Sequence, residues 1–218
     1  MKTALVIGAT GLVGDYLLRQ LLLDPRFERI KVFTRRPTGY HNPAKLEEHI
    51  VDFDKPAEWQ ELLQGEVLFS ALGTTRKQAG SQEAQYRVDH TYQLQTAEYA
   101  ARNGTDTYVL VSAAGADKDS ALFYNRLKGE LERDVQALAF ARIRILQPGV
   151  LAGPRAEARP LERLGIGAAA LLGTVPLLRK YRPIHARTVA RAMINASFDE
   201  QAGVQVDTLE EVFRRAGE

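Results

Sequence analysis

Three residues in this chain have the types and spacing that reduction of a carbonyl group would need. Tyr124 and Lys128 stand four positions apart in the run FYNRLKGELERDVQ, which sets both side chains on one face of a helix. Ser112 ends the apolar run TYVLVS, twelve residues before the tyrosine. Hydride transfer to a C=O leaves an alkoxide, which needs a proton donor and nearby positive charge. A phenol with a pKa of about 10 is too weak an acid unaided. A neighbouring ammonium lowers that pKa, and a serine hydroxyl bonded to the carbonyl oxygen fixes its orientation. Ser112, Tyr124 and Lys128 are therefore the candidate catalytic set. A helix-surface pair beside a strand-capping serine would give the same letters, so their position in the fold has to decide.

A second constellation concerns a cofactor. Gly8-Ala9-Thr10-Gly11-Leu12-Val13-Gly14 follows an apolar run and precedes a helical pattern, with glycines at 8, 11 and 14. In a strand–turn–helix context such glycines allow a tight turn, let the backbone approach a pyrophosphate, and let helix and strand pack closely. The helix N-terminus would then face the phosphates. An NAD-selective site ends the second strand with a carboxylate for the ribose hydroxyl. Here that place reads Thr34-Arg35-Arg36, and a guanidinium suits a 2′-phosphate, so NADPH is expected over NADH. Asp52 and Phe53, at the next strand end, are expected to flank the adenine.

The elements that must hold these groups alternate regularly. Strands are expected at residues 2–7, 30–34, 49–51, 66–70, 107–112 and 143–146. Helices are expected at 12–23, 56–63, 82–102, 123–138 and 187–197, with a last one opened by a capping box of Asp207 and Glu210. Strands separated by helices, and strands apolar almost throughout, predict an α/β fold with a doubly wound parallel sheet covered on both faces. One domain spanning 1–218 is expected, with residues 151–218 forming a small C-terminal substrate lobe. Residues 153–155 read as a turn and 155–163 as an exposed charged stretch. The segment 165–178 reads as a substrate lid, a dimer patch or a membrane-touching hairpin.

The ordered set Gly8 to Gly14, Ser112, Tyr124 and Lys128 resembles the short-chain dehydrogenase/reductase superfamily. Further runs are similar to its atypical branch, the one containing the mammalian Tat-interacting metastasis-suppressor protein and bacterial NAD(P)H-binding relatives. They are LGTTRKQAGS at 72–81, Tyr86-Arg87-Val88-Asp89, Gly115-Ala116-Asp117-Lys118, Gln147-Pro148-Gly149-Val150 and Val189-Ala190-Arg191-Ala192-Met193. The resemblance covers nearly the whole chain. It implies a Rossmann fold binding NADPH, with Tyr124 and Lys128 in the catalytic positions. It also implies that Pro148, Gly149 and Val150 lie near the nicotinamide, and Leu72, Gly73 and Thr74 near its ribose and the pyrophosphate. Asp89 stands where many relatives carry an Asn of the proton relay. Only 90 residues follow Lys128, which argues against a bulky nucleotide-sugar substrate.

Composition bounds the rest. The chain has 218 residues and no cysteine, so thiolate chemistry and Cys-ligated metals are excluded. With 29 basic residues against 27 acidic ones, charge gives no reason to expect nucleic acid. No run reaches the ~20 apolar residues of a spanning helix, and no leader is recognisable, so no integral membrane partner and a cytoplasmic location are expected. His41, His49, His90 and His185 pair with no ligand-type residue at metal spacing, and no metal is assigned. His185 reads as a pocket or a cap residue, Trp59 as a half-buried helix residue, and Arg76 and Lys77 as solvated loop cations or as groups facing an anionic substrate. Two readings remain: an NADPH-dependent reductase of a small-molecule carbonyl, as a possible homodimer, or an NADPH-sensing regulatory protein with little catalysis.

Overall fold

The computed structural model describes residues 1–152 and 182–218. Its centre is a strand that is apolar for a reason. β1 (Lys2–Ile7) lies between β2 (Phe27–Thr34) and β4 (Val67–Ser70), parallel to both, and Ala4 to Ile7 are fully buried. A strand with neighbours on both edges and helices on both faces has no solvent side, so it cannot alternate polar and apolar residues. β3 (Leu46–Ile50), β5 (Thr107–Val111), β6 (Arg142–Gln147) and β9 (Gly203–Thr208) complete a seven-stranded sheet of order β3-β2-β1-β4-β5-β6-β9, parallel at every pairing. The short strands β7 (Leu151–Ala152) and β8 (Ile184–His185) pair separately.

Two apolar cores flank this sheet. On one side α1 (Leu12–Leu23), α6 (Ala186–Ala196) and α7 (Glu210–Ala216) contribute Leu17, Leu18, Leu21, Val189, Met193 and Phe213. On the other, α4 (Tyr92–Arg102) and α5 (Phe123–Gln136) pack Ala97, Ala100, Leu131 and Val135 against Leu5, Leu68, Tyr108 and Ile145. Each fully buried Leu, Val or Phe contributes roughly 1.5–3 kcal/mol. The sheet is thus a rigid floor whose strand ends carry the site.

Several expectations change. Residues 82–102 are helical, but as α3 (Gln82–Tyr86), a π-turn (Arg87–Thr91) and α4. Residues 56–63 form two 3₁₀ turns (Pro56–Glu58 and Gln60–Leu62), not one helix, and Trp59 between them is buried rather than half-buried. No Asp207 capping box forms. Asp207 ends up in β9, bonded to Arg215, while Glu211 accepts from Thr208 N and Oγ1. β9, like the two-residue strands β7 and β8, was not expected, and Arg144 helps fix it. This fully buried guanidinium donates to the carbonyls of Gly203 (2.8 Å), Asp199 (3.1 Å) and Gln201. Within the described part of 182–218, β9 joins the main sheet and α6 and α7 cover it, while β8 pairs with β7 apart from it. The turn at 153–155, the charged stretch at 155–163 and the segment at 165–178 lie outside the described residues.

Candidate active site

The glycine loop is built by close approach. Gly8 has φ +82°, and a Cβ there would sit 2.4 Å from the Ala71 carbonyl and the Leu72 nitrogen. A Cβ on Gly14 would sit 2.0 Å from the Gly8 oxygen. The chain thus folds from β1 into α1 directly against the end of β4, and only glycine fits at either place. Gly11 is the N-cap of α1 and supplies no side-chain cap. The first-turn N–H groups of Leu12, Val13 and Gly14 thus have no N-cap side chain to bond, beside exposed Thr10. That arrangement fits a pyrophosphate.

Beyond β2, Arg35 and Arg36 are exposed and form no ion pair among the described residues. Their loop is nevertheless held. Thr34 Oγ1 donates to the Arg36 carbonyl (2.9 Å), and Thr38 N and Oγ1 donate to Glu48 (2.9 and 2.6 Å). Tyr40 donates to Asp15 on α1 (2.6 Å) and accepts from Arg19. Two free guanidinium groups on a braced loop suit an anionic group. Asp52 is exposed at the end of β3, but the Phe53 assignment needs correction. Its ring is 4% exposed, stacked on Tyr92 (centroids 5.4 Å apart) and edge-on to Trp59. Apolar packing claims that ring, which is not free to lie against a base.

Leu72, Gly73 and Thr74 follow β4 beside the glycine loop. Asp89, buried in the π-turn, accepts from Thr74 N at 2.6 Å. Pro148 closes the neighbouring gap, since Ala114 N donates to its carbonyl (2.9 Å) and joins the loops after β5 and β6. Gly149 lies against Leu209, whose φ of +43° is strained for a residue with a side chain. Val150 O accepts from Ile184 N, the start of β8.

Ser112 follows β5 at the sheet edge, and Tyr124 and Lys128 lie on α5. Ser112 is held by its N–H to Leu146 O (2.8 Å) and is 5% exposed. Its Oγ is buried, makes no hydrogen bond of ordinary geometry among the described residues, and is faced by the Glu132 carboxyl. Lys128 is 4% exposed, with Nζ 6.0 Å from the centre of the Tyr124 ring, whereas Tyr124 itself is 44% exposed. α5 sits close to the sheet-end loop because Gly129 allows it; a Cβ there would be 2.1 Å from Lys118 N. A further group was missed in the sequence. Glu132, one turn beyond Lys128, is buried and accepts from Gln147 Nε2 through both oxygens (3.0 and 2.9 Å). Its i,i+4 spacing from Lys128 was the available signal. Burial pushes its carboxyl above the ordinary value, opposed by Ser112, Gln147 and Lys128.

The remaining expectations resolve simply. His185 caps α6, its Nδ1 accepting from Arg187 N (3.1 Å), and touches Tyr16 edge-on. Arg76 and Lys77 lie exposed on a short helix, α2 (Arg76–Ala79), capped by Thr75. Among the described residues no helix is long and apolar enough to cross a membrane.

Comparison with known proteins agrees with this architecture. A sequence profile described as the NAD dependent epimerase/dehydratase family matches residues 4–130. A relative from Saccharomyces cerevisiae, "Protein FMP52, mitochondrial", is 42% identical over 174 residues, covering 78% of this chain and 74% of its own. "Protein fmp52-1, mitochondrial" from Aspergillus oryzae is 36% identical over 209 residues, covering 93% and 89%. Among solved structures, a short-chain dehydrogenase/reductase superfamily protein from Agrobacterium tumefaciens with bound NAD superposes with a TM-score of 0.70 at 14% identity, covering 95% of this chain and 77% of that one. "MoeE5 in complex with UDP-glucose and NAD" gives 0.68 at 17%, covering 99% and 81%. The chain belongs to the NAD dependent epimerase/dehydratase family, and FMP52 proteins are among its relatives. Its fold is the Rossmann type of parallel α/β sheet. The cytoplasmic expectation is corrected: these relatives are named as mitochondrial proteins, and lack of a recognisable leader does not decide a compartment.

Proposed function

We propose that this protein is an NADPH-dependent reductase of a small carbonyl compound, with Tyr124 as proton donor and Lys128 and Ser112 as its assistants. The observation that carries the reading is the Ser112 hydroxyl, buried at the sheet edge and faced by the Glu132 carboxyl, which lies one turn from Lys128 on α5. Its one O–H can serve the Glu132 carboxyl or a second acceptor over the strand end, and a carbonyl oxygen suits that second place.

NADPH would lie along the strand ends. The N–H groups of Leu12, Val13 and Gly14 would hold its pyrophosphate, and Gly8, Thr10 and Gly11 would shape the turn beneath. Arg35 and Arg36 would grip the 2′-phosphate, with Asp52 beside the adenine. Leu72, Gly73 and Thr74 would follow the pyrophosphate and ribose, and Pro148, Gly149 and Val150 would border the nicotinamide. When bound, the reduced nicotinamide supplies the hydride. Ser112 Oγ–H donates to the carbonyl oxygen and orients it. Tyr124, open to the solvent side, passes its phenolic proton to the same oxygen as charge builds there. The Lys128 ammonium makes that transfer easier by stabilising the phenolate left behind. A positioned acid of this kind is worth about 10²–10⁴-fold in rate.

The experiment is NADPH consumption with a panel of small aldehydes, ketones and quinones. Turnover that is lost in Ser112→Ala supports the reading. Tight NADPH binding with no consumption by any compound would favour the binding-only alternative.

A further inference from the structure

Glu132 stands behind the catalytic set, and a buried carboxylate with so little exposure (8%) is uncommon. It is held by an amide rather than a cation, through the two Gln147 Nε2 bonds. Ser112, bonded through its N–H to Leu146 O (2.8 Å) and so set next to Gln147, comes beside it from the end of β5, and Lys128 lies one turn earlier on its own helix. On its outer side is a hollow of about 250 Å³ whose other charged lining residues are Asp117 and Lys118 of the sheet-end loop and Arg133 of α5. Glu132 lines this hollow, so solvent water can exchange a proton with its carboxyl group.

Ser112 has one O–H to give, and two acceptors compete for it: the Glu132 carboxylate and the substrate's carbonyl oxygen. We infer that Glu132 is a positioning residue whose proton decides which acceptor the Ser112 hydroxyl serves. Ionised, Glu132 draws the Ser112 O–H to itself and away from the substrate. Protonated, it donates to Ser112 Oγ, and the Ser112 O–H turns to the carbonyl oxygen. Only the O–H bond of Glu132 forms and breaks, and water in the hollow supplies and takes back that proton. Because burial holds the Glu132 carboxyl above its ordinary value, the exchange falls above the usual glutamate range. This inference rests on the carbonyl-binding role given to Ser112 above.

Two readouts test it on the full chain. Without substrate, pH-difference infrared spectra of the wild type should contain a carboxylic acid band that titrates above the usual glutamate range. The band should vanish in Glu132→Gln and shift in frequency in Ser112→Ala. Absence of a titrating band, or a band indifferent to Ser112→Ala, overturns the coupling. With a carbonyl that is turned over, wild-type kcat should fall roughly tenfold as Glu132 ionises, about one hydrogen bond's worth. Glu132→Gln, whose amide donates at every pH, should flatten that fall, and an unchanged fall overturns the proposal. Should Glu132→Gln not fold, the band shift in Ser112→Ala decides alone. If no carbonyl is turned over, the reductase reading fails while the infrared result still decides the Glu132–Ser112 switch.

Discussion

Asp89 Oδ1 accepts the backbone N–H of Thr74 at 2.6 Å, which ties the loop after β4 to the π-turn at the start of α4. A π-turn widens a helix by one residue, and such turns cluster at functional sites. Here it sits where a buried carboxylate faces the loop assigned to the nicotinamide ribose and pyrophosphate. The sequence alone pointed to Asp89 as a departure from a proton-relay Asn; the fold gives it a loop-holding role.

Asp89→Ala leaves Thr74 N without its acceptor and should destabilise the fold by about 1–3 kcal/mol. It should also weaken NADPH several-fold. Asp89→Asn keeps a side-chain oxygen and should stay near wild type in both. Thermal unfolding and NADPH titration of the two variants check this; equal losses in both would mean that the charge, not the acceptor, matters.

Arg35→Ala and Arg36→Ala should weaken NADPH by ~1.5–3 kcal/mol each, the worth of a hydrogen bond to a charged group, and leave NADH nearly unchanged. Tyr40→Phe loosens the same loop from Asp15 and Arg19 and should show a smaller shift of the same kind. Equal weakening of both cofactors by the arginine variants would remove them from the 2′-phosphate site.

Gly14→Ala puts a methyl 2.0 Å from the Gly8 oxygen. Overpacking of this sort costs about 1–3 kcal/mol, and here it must also push α1 off the end of β1. NADPH binding should be lost well before the fold is, as read by cofactor titration alongside far-UV circular dichroism.

How much of this was legible beforehand follows from where each signal resides. β1, β4 and β5 are buried on both faces, so their apolar runs announced them. The glycines at 8 and 14 were readable because backbone contact admits no other residue. β9 was not, because an edge strand with exposed Val204 and Val206 carries no apolar run, and its attachment depends on Arg144, sixty positions away in sequence. Phe53 was misassigned because neighbours distant in sequence, Tyr92 among them, decide whether a strand-end aromatic is buried. Glu132 was passed over for the same reason: Gln147 and Ser112, which make it unusual, come from other strands.

Glu132 also makes stability depend on pH. Its carboxyl is raised in the fold above the ordinary 4.5, chiefly by burial, so the folded state holds the proton more tightly than the unfolded one. The associated stability is present below pH 4.5 and is lost as pH rises through the folded value. Wild-type unfolding midpoints should therefore drop across that window relative to those of Glu132→Gln, and parallel curves would contradict this.

The most direct measurement compares wild type and Tyr124→Phe, each saturated with NADPH, for consumption of the cofactor by the best carbonyl substrate. A positioned acid predicts loss of about 10²–10⁴-fold in kcat with cofactor affinity unchanged. Full turnover in Tyr124→Phe would contradict the assignment of the proton donor and with it the proposed reductase chemistry.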